Sequence, residues 1–301
     1  MEMLIQLLIS GIATGSIYAI LALGFVLVYK ASGVLNIAQG EMFMLGTLVS
    51  FACISQLGLP MWLVLIITLI FGAVLGVVLQ YVVIRPLIGE PLMTMVMATI
   101  GLMVVLKGFG MLVWDGLTLP YPAIFPKAVI SVGEFNLLSE QVSCFIAALV
   151  IFAIFFLFFQ YTKSGLEMRA VAEGYQACRS MGIRVRNVFA MSWLIAGVSA
   201  AMAGIVYGDT IGNVSVMIGE LGLVVLSVVL VGGLDSIPGT IVAGIIIGVT
   251  QNLACGYLDP LILRGVARAG SLRTVFPYIV MITVLMFRPY GLLGLRRIER
   301  I

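Results

Sequence analysis

A few polar side chains interrupt the apolar runs of this sequence where a membrane helix would otherwise continue. They are Asn36, Gln39 and Glu41 in "GVLNIAQGEMFMLG", and Asp235 and Ser236 in "VGGLDSIPGTIVAG". Amides, carboxylates and a hydroxyl beside Gly40 and Gly239 could bind and release a polar solute, and the glycines would let the backbone leave helical geometry there. Bond-breaking chemistry has little to work with. The chain has no histidine, which removes the commonest general base and metal ligand together. Cys53, Cys144, Cys178 and Cys255 are scattered without metal or redox spacing and read as packing residues.

The elements that position these residues follow from composition. With 62% apolar and 10% charged residues over 301 positions, the chain is far too apolar for a soluble domain. A membrane span takes roughly 20 apolar residues. The expectation is an all-α polytopic membrane protein with about eight to ten transmembrane helices, two of the segments broken or re-entrant, forming one transmembrane domain over residues 1–301. Helices are expected near Leu4–Tyr29, Met42–Ser55, Met61–Ile84, Pro91–Trp114, Gln141–Tyr161, Val188–Gly208, Leu221–Val231, Thr240–Leu258 and Val275–Phe287. The apolar start lacks a basic leader region and is too long for a signal-peptide core, so it reads as a span of the mature chain.

Lysine and arginine set the expected orientation. The segment between Lys163 and Arg186 carries Lys163, Arg169, Arg179, Arg184 and Arg186 against Glu167 and Glu173, and the tail carries Arg288, Arg296, Arg297 and Arg300 against Glu299. Both belong on the cytoplasmic side. The loop 115–140 has Asp115, Glu134 and Glu140 against Lys127 and belongs outside, which puts the N-terminus outside and the C-terminus inside. The segment 259–273, with three arginines and one aspartate, violates the rule if nine helices are counted; either it lies along the surface or the count errs there. Lys107, in the outer part of the fourth span, is expected to snorkel.

"LNIAQG" at 35–40 and "LDSIPG" at 234–239 share Leu, then Asn or Asp, then three residues, then Gly. Each precedes an apolar run rich in small residues. Interrupted segments at corresponding places in two halves point to a transport path at an internal two-fold repeat. Backbone groups freed at membrane depth survive only where protein or a water-filled cavity supplies partners. The alternative is that both stretches are short turns at the membrane surface. Gly11 and Gly15, Gly72 and Gly76, and Gly244 and Gly248 are four apart and permit close helix approach, more readily within the bundle than at a dimer face. Glu41 could cap the following helix as well as line a path.

The stretch "TKSGLEMRAVAEGYQACRSMGIRVRNVFAMSWLIAG" at 162–197 is too long and too patterned for a plain connection. Its Gly165, Arg169, Ala170, Ala172, Glu173, Gly182 and Ile183 resemble the coupling loop of bacterial ABC importer permeases, in the form of the branched-chain (hydrophobic) amino acid uptake family. "GSIYAILALGFVLVYKASGVLNIAQGEMFMLG" is similar to that family's first-permease signature. "VGGLDSIPGTIVAGIIIG" and the closing "RPYGLLG" fit it as well, so the resemblance spans nearly the whole chain in four ordered blocks.

The resemblance implies a transport subunit, not an enzyme, in the bacterial inner membrane, with a substrate path through Asn36, Gln39, Gly40, Glu41, Asp235, Ser236 and Gly239. It implies a second, related permease subunit, two cytoplasmic ATPase subunits and an extracytoplasmic substrate-binding protein as partners, besides membrane lipid; no nucleic acid is expected. No cofactor is expected in this chain, which lacks the Gly-x4-Gly-Lys-Ser/Thr phosphate loop; ATP and Mg would be bound by the ATPase partners. Coupling to them would fall to the segment 162–187, through Gly165, Leu166, Arg169, Ala170, Glu173, Ala177, Gly182 and Ile183. Val171 and Met181 are further apolar candidates for the ATPase seat, whereas Arg184 and Arg186 read as orientation-setting charges. Two departures leave the passenger open. Gln39 stands where the family often has His, and "AVAEG" replaces the Glu-Ala-Ala of other importers. Branched-chain amino acids, urea or amides, aromatic or carboxylic acids, and sugars or nucleosides remain candidates, with a secondary transporter as the rival mechanism.

Overall fold

The computed structural model describes residues 2–124, 129–132, 135–173, 178, 180–182, 184–262 and 271–294. Helices dominate: α1 Glu2–Ser32, α2 Gln39–Phe51, α3 Met61–Leu79, α4 Leu92–Trp114, α5 Ser139–Tyr161, α6 Lys163–Glu173, α7 Val185–Ile211, α8 Leu221–Gly232, α9 Ile237–Tyr257, a short α10 Asp259–Ile262 and α11 Ser271–Phe287. Single π turns, Ala52–Gln56 and Gln80–Ile84, extend α2 and α3. All nine expected helices are present, with ends within a few residues. Among the described residues six helices are long and apolar enough to cross a membrane, namely α1, α3, α4, α5, α7 and α9. α2, α8 and α11 are shorter.

α1 is the axis of the bundle. It is apolar on every side, as a buried membrane helix must be, and packs along its length on α9, with α7, α5 and α8 around it. Its contact with α9 is built on missing side chains. A Cβ on Gly11 would lie 2.6 Å from the Val249 Cα, and one on Gly248 would lie 2.5 Å from the Gly15 Cα. α3 and α7 repeat the arrangement, with Gly72 against the backbone of Gly197 and Gly76 against that of Trp193. The glycine pairs are therefore seams inside one chain, as the sequence suggested.

These seams reveal the internal repeat. The first helix of one half crosses the third helix of the other: α1 with α9, and α7 with α3. Each half also holds one short α-helix that follows a departure from α-helical geometry, α2 after 33–38 and α8 after 212–220, where a 3-10 turn at Val216–Glu220 leads into it. The sequence echo had paired 35–40 with 234–239, and the fold corrects this. The counterpart of the break before α2 is the break before α8, and the two meet directly, a Cβ on Gly222 falling 2.5 Å from the Gly40 Cα. The stretch 233–236 is an ordinary capped turn. Ser236 caps α9 by accepting from the Gly239 N–H at 3.1 Å, and Gly239 is small because Gly232 backbone lies against it.

The two ends of the bundle differ. At one end, the loop after α4 runs through β1 (Leu119–Pro120), which pairs antiparallel with β4 (Asn213–Val214) after α7, and continues to the hairpin β2 (Val129–Val132) and β3 (Phe135–Leu138), none of it anticipated. Tyr121 locks this end. Its hydroxyl shares a hydrogen bond with Ser50 at 2.9 Å and its ring fills the space over Gly208. Burial, only partly offset by the Ser50 hydrogen bond, pushes its phenol up to about 12, so it keeps its proton. Arg273, at the head of α11, shares a cavity with Thr210 and Ile211 at the end of α7 and so lies at this same end; 263–270 fall outside the described residues.

At the opposite end, with Lys30, Arg85 and Arg169, the closing block meets the end of α8. The Leu292 N–H donates to the Val231 carbonyl at 2.8 Å and the Leu293 N–H to the Gly232 carbonyl at 3.2 Å. Orphan carbonyls of a helix end are thereby satisfied. Gly233 and Gly291, both at positive φ, make that approach feasible.

The seam can be tested by overpacking. Gly248→Leu should destabilise the detergent-solubilised protein by about 1–3 kcal/mol. Gly101→Leu, whose Cβ would meet nothing within 4 Å, should leave its thermal unfolding unchanged.

Candidate functional site

The break between α1 and α2 lies inside the bundle. Gln39 packs against Gly24, and Gly24 stands eight residues before Ser32, the end of α1, or about 12 Å along the helix axis. Backbone groups at that depth need partners, and Thr99 of α4, fully buried, accepts from the Ile37 N–H at 3.3 Å. Its one hydroxyl proton lies between the Val96 carbonyl of its own helix at 2.8 Å and the Leu35 carbonyl at 3.2 Å. Asn36 donates to the Gln39 side-chain carbonyl at 3.0 Å, and Gln39 donates in turn to the Ala196 carbonyl of α7 at 3.0 Å. Asn36 and Gln39 are both fully buried. They form a sealed polar knot and border neither of the two cavities that flank it.

One cavity, of about 860 Å³, is lined by Lys30, Gly33, Glu90, Arg169, Glu173 and Asp235 at the basic end. The other, of about 550 Å³, is lined by Ile37, Glu41, Lys107, Tyr207, Glu220 and Tyr278, toward the β1–β4 end. The break thus begins in one cavity, at Gly33, and emerges in the other, at Ile37 and Glu41. Its sealed centre is the partition. Gly40 closes the partition against Gly222, since any side chain at either position would run into the backbone of the other.

The residues singled out in the sequence now separate. Glu41 and Asp235 face cavities on opposite sides of the partition, Asn36, Gln39 and Gly40 make the partition, and Ser236 and Gly239 serve the cap of α9. Lys107 reaches across the second cavity to Glu220, at the head of α8, with Nζ 3.0 Å from the carboxylate. Thr99, Tyr121 and Glu220 were not anticipated. A threonine within an apolar helix carries no signal of its own, because its role comes from a loop 62 residues earlier in the chain.

α6 folds back under the bundle. The Thr162 hydroxyl accepts from the Gly165 N–H at 3.0 Å, and Gly165 is small because the Phe158 and Phe159 carbonyls crowd it. Met168 and Val171 are buried in the chain's own core, which removes Val171 from any external seat. Ala170 packs partly against that core, and Arg169 donates to the Gln160 side chain at 3.1 Å. Leu166 and Met181 are 60% and 82% exposed. Glu173 is exposed, and Gly182 has a positive φ that favours glycine. Ala177 and Ile183 lie outside the described residues. Among the described residues no group of histidine, cysteine or acidic side chains could hold a metal ion.

A transmembrane bundle whose two broken spans meet and divide it into opposed cavities is the architecture of a multi-pass membrane permease. The family described as the permease component of branched-chain amino acid transport systems matches residues 7–285, and the chain belongs to it. It is 28% identical to the high-affinity branched-chain amino acid transport system permease protein LivH of Salmonella typhimurium, over 99% of this chain and 97% of that protein. It is 26% identical to the corresponding permease BraD of Pseudomonas aeruginosa, over 99% and 98%. A ribose import permease, RbsC of Haemophilus influenzae, is a more distant relative, at 26% identity over 81% of this chain and 75% of that one.

The partition makes a labelling prediction. A membrane-impermeant thiol reagent applied to the basic end should modify Asp235→Cys rapidly and Asn36→Cys at least about tenfold more slowly, reflecting burial of the second site in packed protein. Equal rates, measured by mass spectrometry in vesicles of known sidedness, would show the partition to be open at rest.

Proposed function

We propose that this chain is the translocating permease subunit of an ATP-driven importer for branched-chain amino acids, resident in the bacterial inner membrane. The observation that carries the reading is the pair of cavities separated by the Asn36–Gln39 knot and the Gly40–Gly222 contact. A passage closed at its centre and entered from both sides is what alternating access requires. A shift of α2 against α8 would open one cavity to the other. The relatives named for branched-chain amino acid transport cover almost the full chain, whereas the ribose permease covers less, which favours amino acids over sugars as the passenger.

The basic end, with Lys30, Arg85, Arg169, Arg184, Arg186 and Arg288, is the cytoplasmic end by the charge rule. On this reading the N-terminus is outside and the C-terminus inside. α6 and the residues after it are then the coupling segment. Leu166 and Met181 are the apolar side chains free to enter a groove of an ATPase subunit, with Glu173 at the rim. Energy comes from two such subunits, which bind ATP and Mg. A second permease subunit completes the passage, and an extracytoplasmic binding protein delivers the solute against the β1–β4 end.

Two measurements test this. The chain co-expressed with its partner subunits and reconstituted should take up labelled leucine on ATP addition, and ribose and urea should not compete. ATP-dependent ribose uptake without leucine uptake would overturn the assignment. Leu166→Glu together with Met181→Glu should lower recovery of the ATPase subunits in pull-downs by about tenfold, the scale of losing a buried apolar anchor at an interface. Undiminished recovery would remove the docking role.

A further inference from the structure

Glu41 is the group that the fold leaves with the least explanation. Its side chain is only 3% exposed, yet the carboxylate oxygen Oε2 has no hydrogen-bond partner among the described residues. The carboxylate lies against Gly219, at the point where a Cβ on that glycine would come 2.6 Å from its Cδ and Oε1. It also borders the cavity of about 550 Å³, a size suited to a small molecule. Across the same cavity stands the Lys107–Glu220 ion pair, 29% and 61% exposed and tying α4 to the head of α8. With Glu41 ionised, the three groups carry one negative charge in excess, and that excess sits on the most deeply buried of them. A buried carboxylate lacking a partner is costly, and a cationic group entering the cavity relieves it.

A cation alone leaves Lys107 as it is. A zwitterion does more: once its ammonium is at Glu41, its carboxylate can take Glu220's place on Lys107, while Ile37, Met103 and Ile218 offer apolar surface to the rest of the molecule. We propose that Glu41 receives the α-ammonium of the passing amino acid in a transient site within this cavity, and that Lys107 exchanges Glu220 for the solute's carboxylate. Glu41 is thereby a specificity-determining residue, selecting zwitterionic α-amino acids over acids that lack the amine. The exchange also releases α4 from α8 each time the site fills. The inference rests on the amino acid reading above.

The test uses the complete reconstituted transporter, as wild type, Glu41→Gln and Glu41→Asp. Glu41→Gln should lower ATP-dependent leucine uptake at least about tenfold, the loss of one partner of a buried charge pair, while the ATPase subunits still co-purify. Glu41→Asp should recover part of it. A second readout needs no binding protein. With the four native cysteines replaced, Met103→Cys in the cavity should be labelled severalfold more slowly by a thiol reagent in the presence of leucine but not of 4-methylpentanoate, and Glu41→Gln should abolish that protection. Leucine uptake and protection that persist in Glu41→Gln, or equal protection by leucine and 4-methylpentanoate, would overturn this inference while leaving the amino acid assignment in place. A wild-type transporter that carries ribose but not leucine would remove the assignment itself.

Discussion

Hydrocarbon offers no partner to a backbone amide, and the architecture of this protein follows from that constraint. Two short helices, α2 and α8, start inside the bundle after segments that leave α-helical geometry, and each group freed there must be satisfied by another part of the chain. At 33–38 the Ile37 N–H finds Thr99 and the Val34 N–H finds the Ser32 hydroxyl, while the side chains of Asn36 and Gln39 bond each other and the Ala196 carbonyl of α7. Satisfying the break therefore fixes α2, α4 and α7 relative to one another. A break that could be made anywhere in a soluble loop is possible here only at the centre of a bundle that encloses it.

Close approach supplies what polar bonding does not. Apolar side chains gain little by leaving lipid for protein, so contacts between membrane helices rest on fit and on backbone proximity. The seams of α1 on α9 and of α3 on α7 are made by glycines, and so is the meeting of Gly40 with Gly222. The same device serves two ends. In the long helices it locks the scaffold, and at the heads of the short helices it closes a passage with no side chain to move out of the way.

Much of the fold was legible in the sequence, because span length, charge bias and glycine spacing are local signals. The nine helices expected from the apolar runs are all present, and the glycine pairs read as internal packing. The correspondence of the halves was not legible. "LNIAQG" and "LDSIPG" look alike because a polar residue and a glycine recur at helix starts, but the second is a helix cap held by Ser236. The true counterpart, around Gly222, shares geometry and almost no letters. Site residues fared similarly. Asp235 and Glu41 face cavities as polar residues in apolar runs should, whereas the burial of Asn36 and Gln39 depends on α4 and α7. The bonding of Lys107 to Glu220 joins positions 113 apart, beyond the reach of any pattern along the chain.

The crossed arrangement of the halves has a consequence for biosynthesis. As the ribosome feeds α1 into the membrane, the glycine stripe of Gly11 and Gly15 emerges long before its mate at Gly244 and Gly248 has been translated. α3 likewise waits for α7. The first half must therefore linger in the bilayer with its narrow faces covered by lipid or by the insertion machinery, and the chain becomes a single body only when its last third arrives.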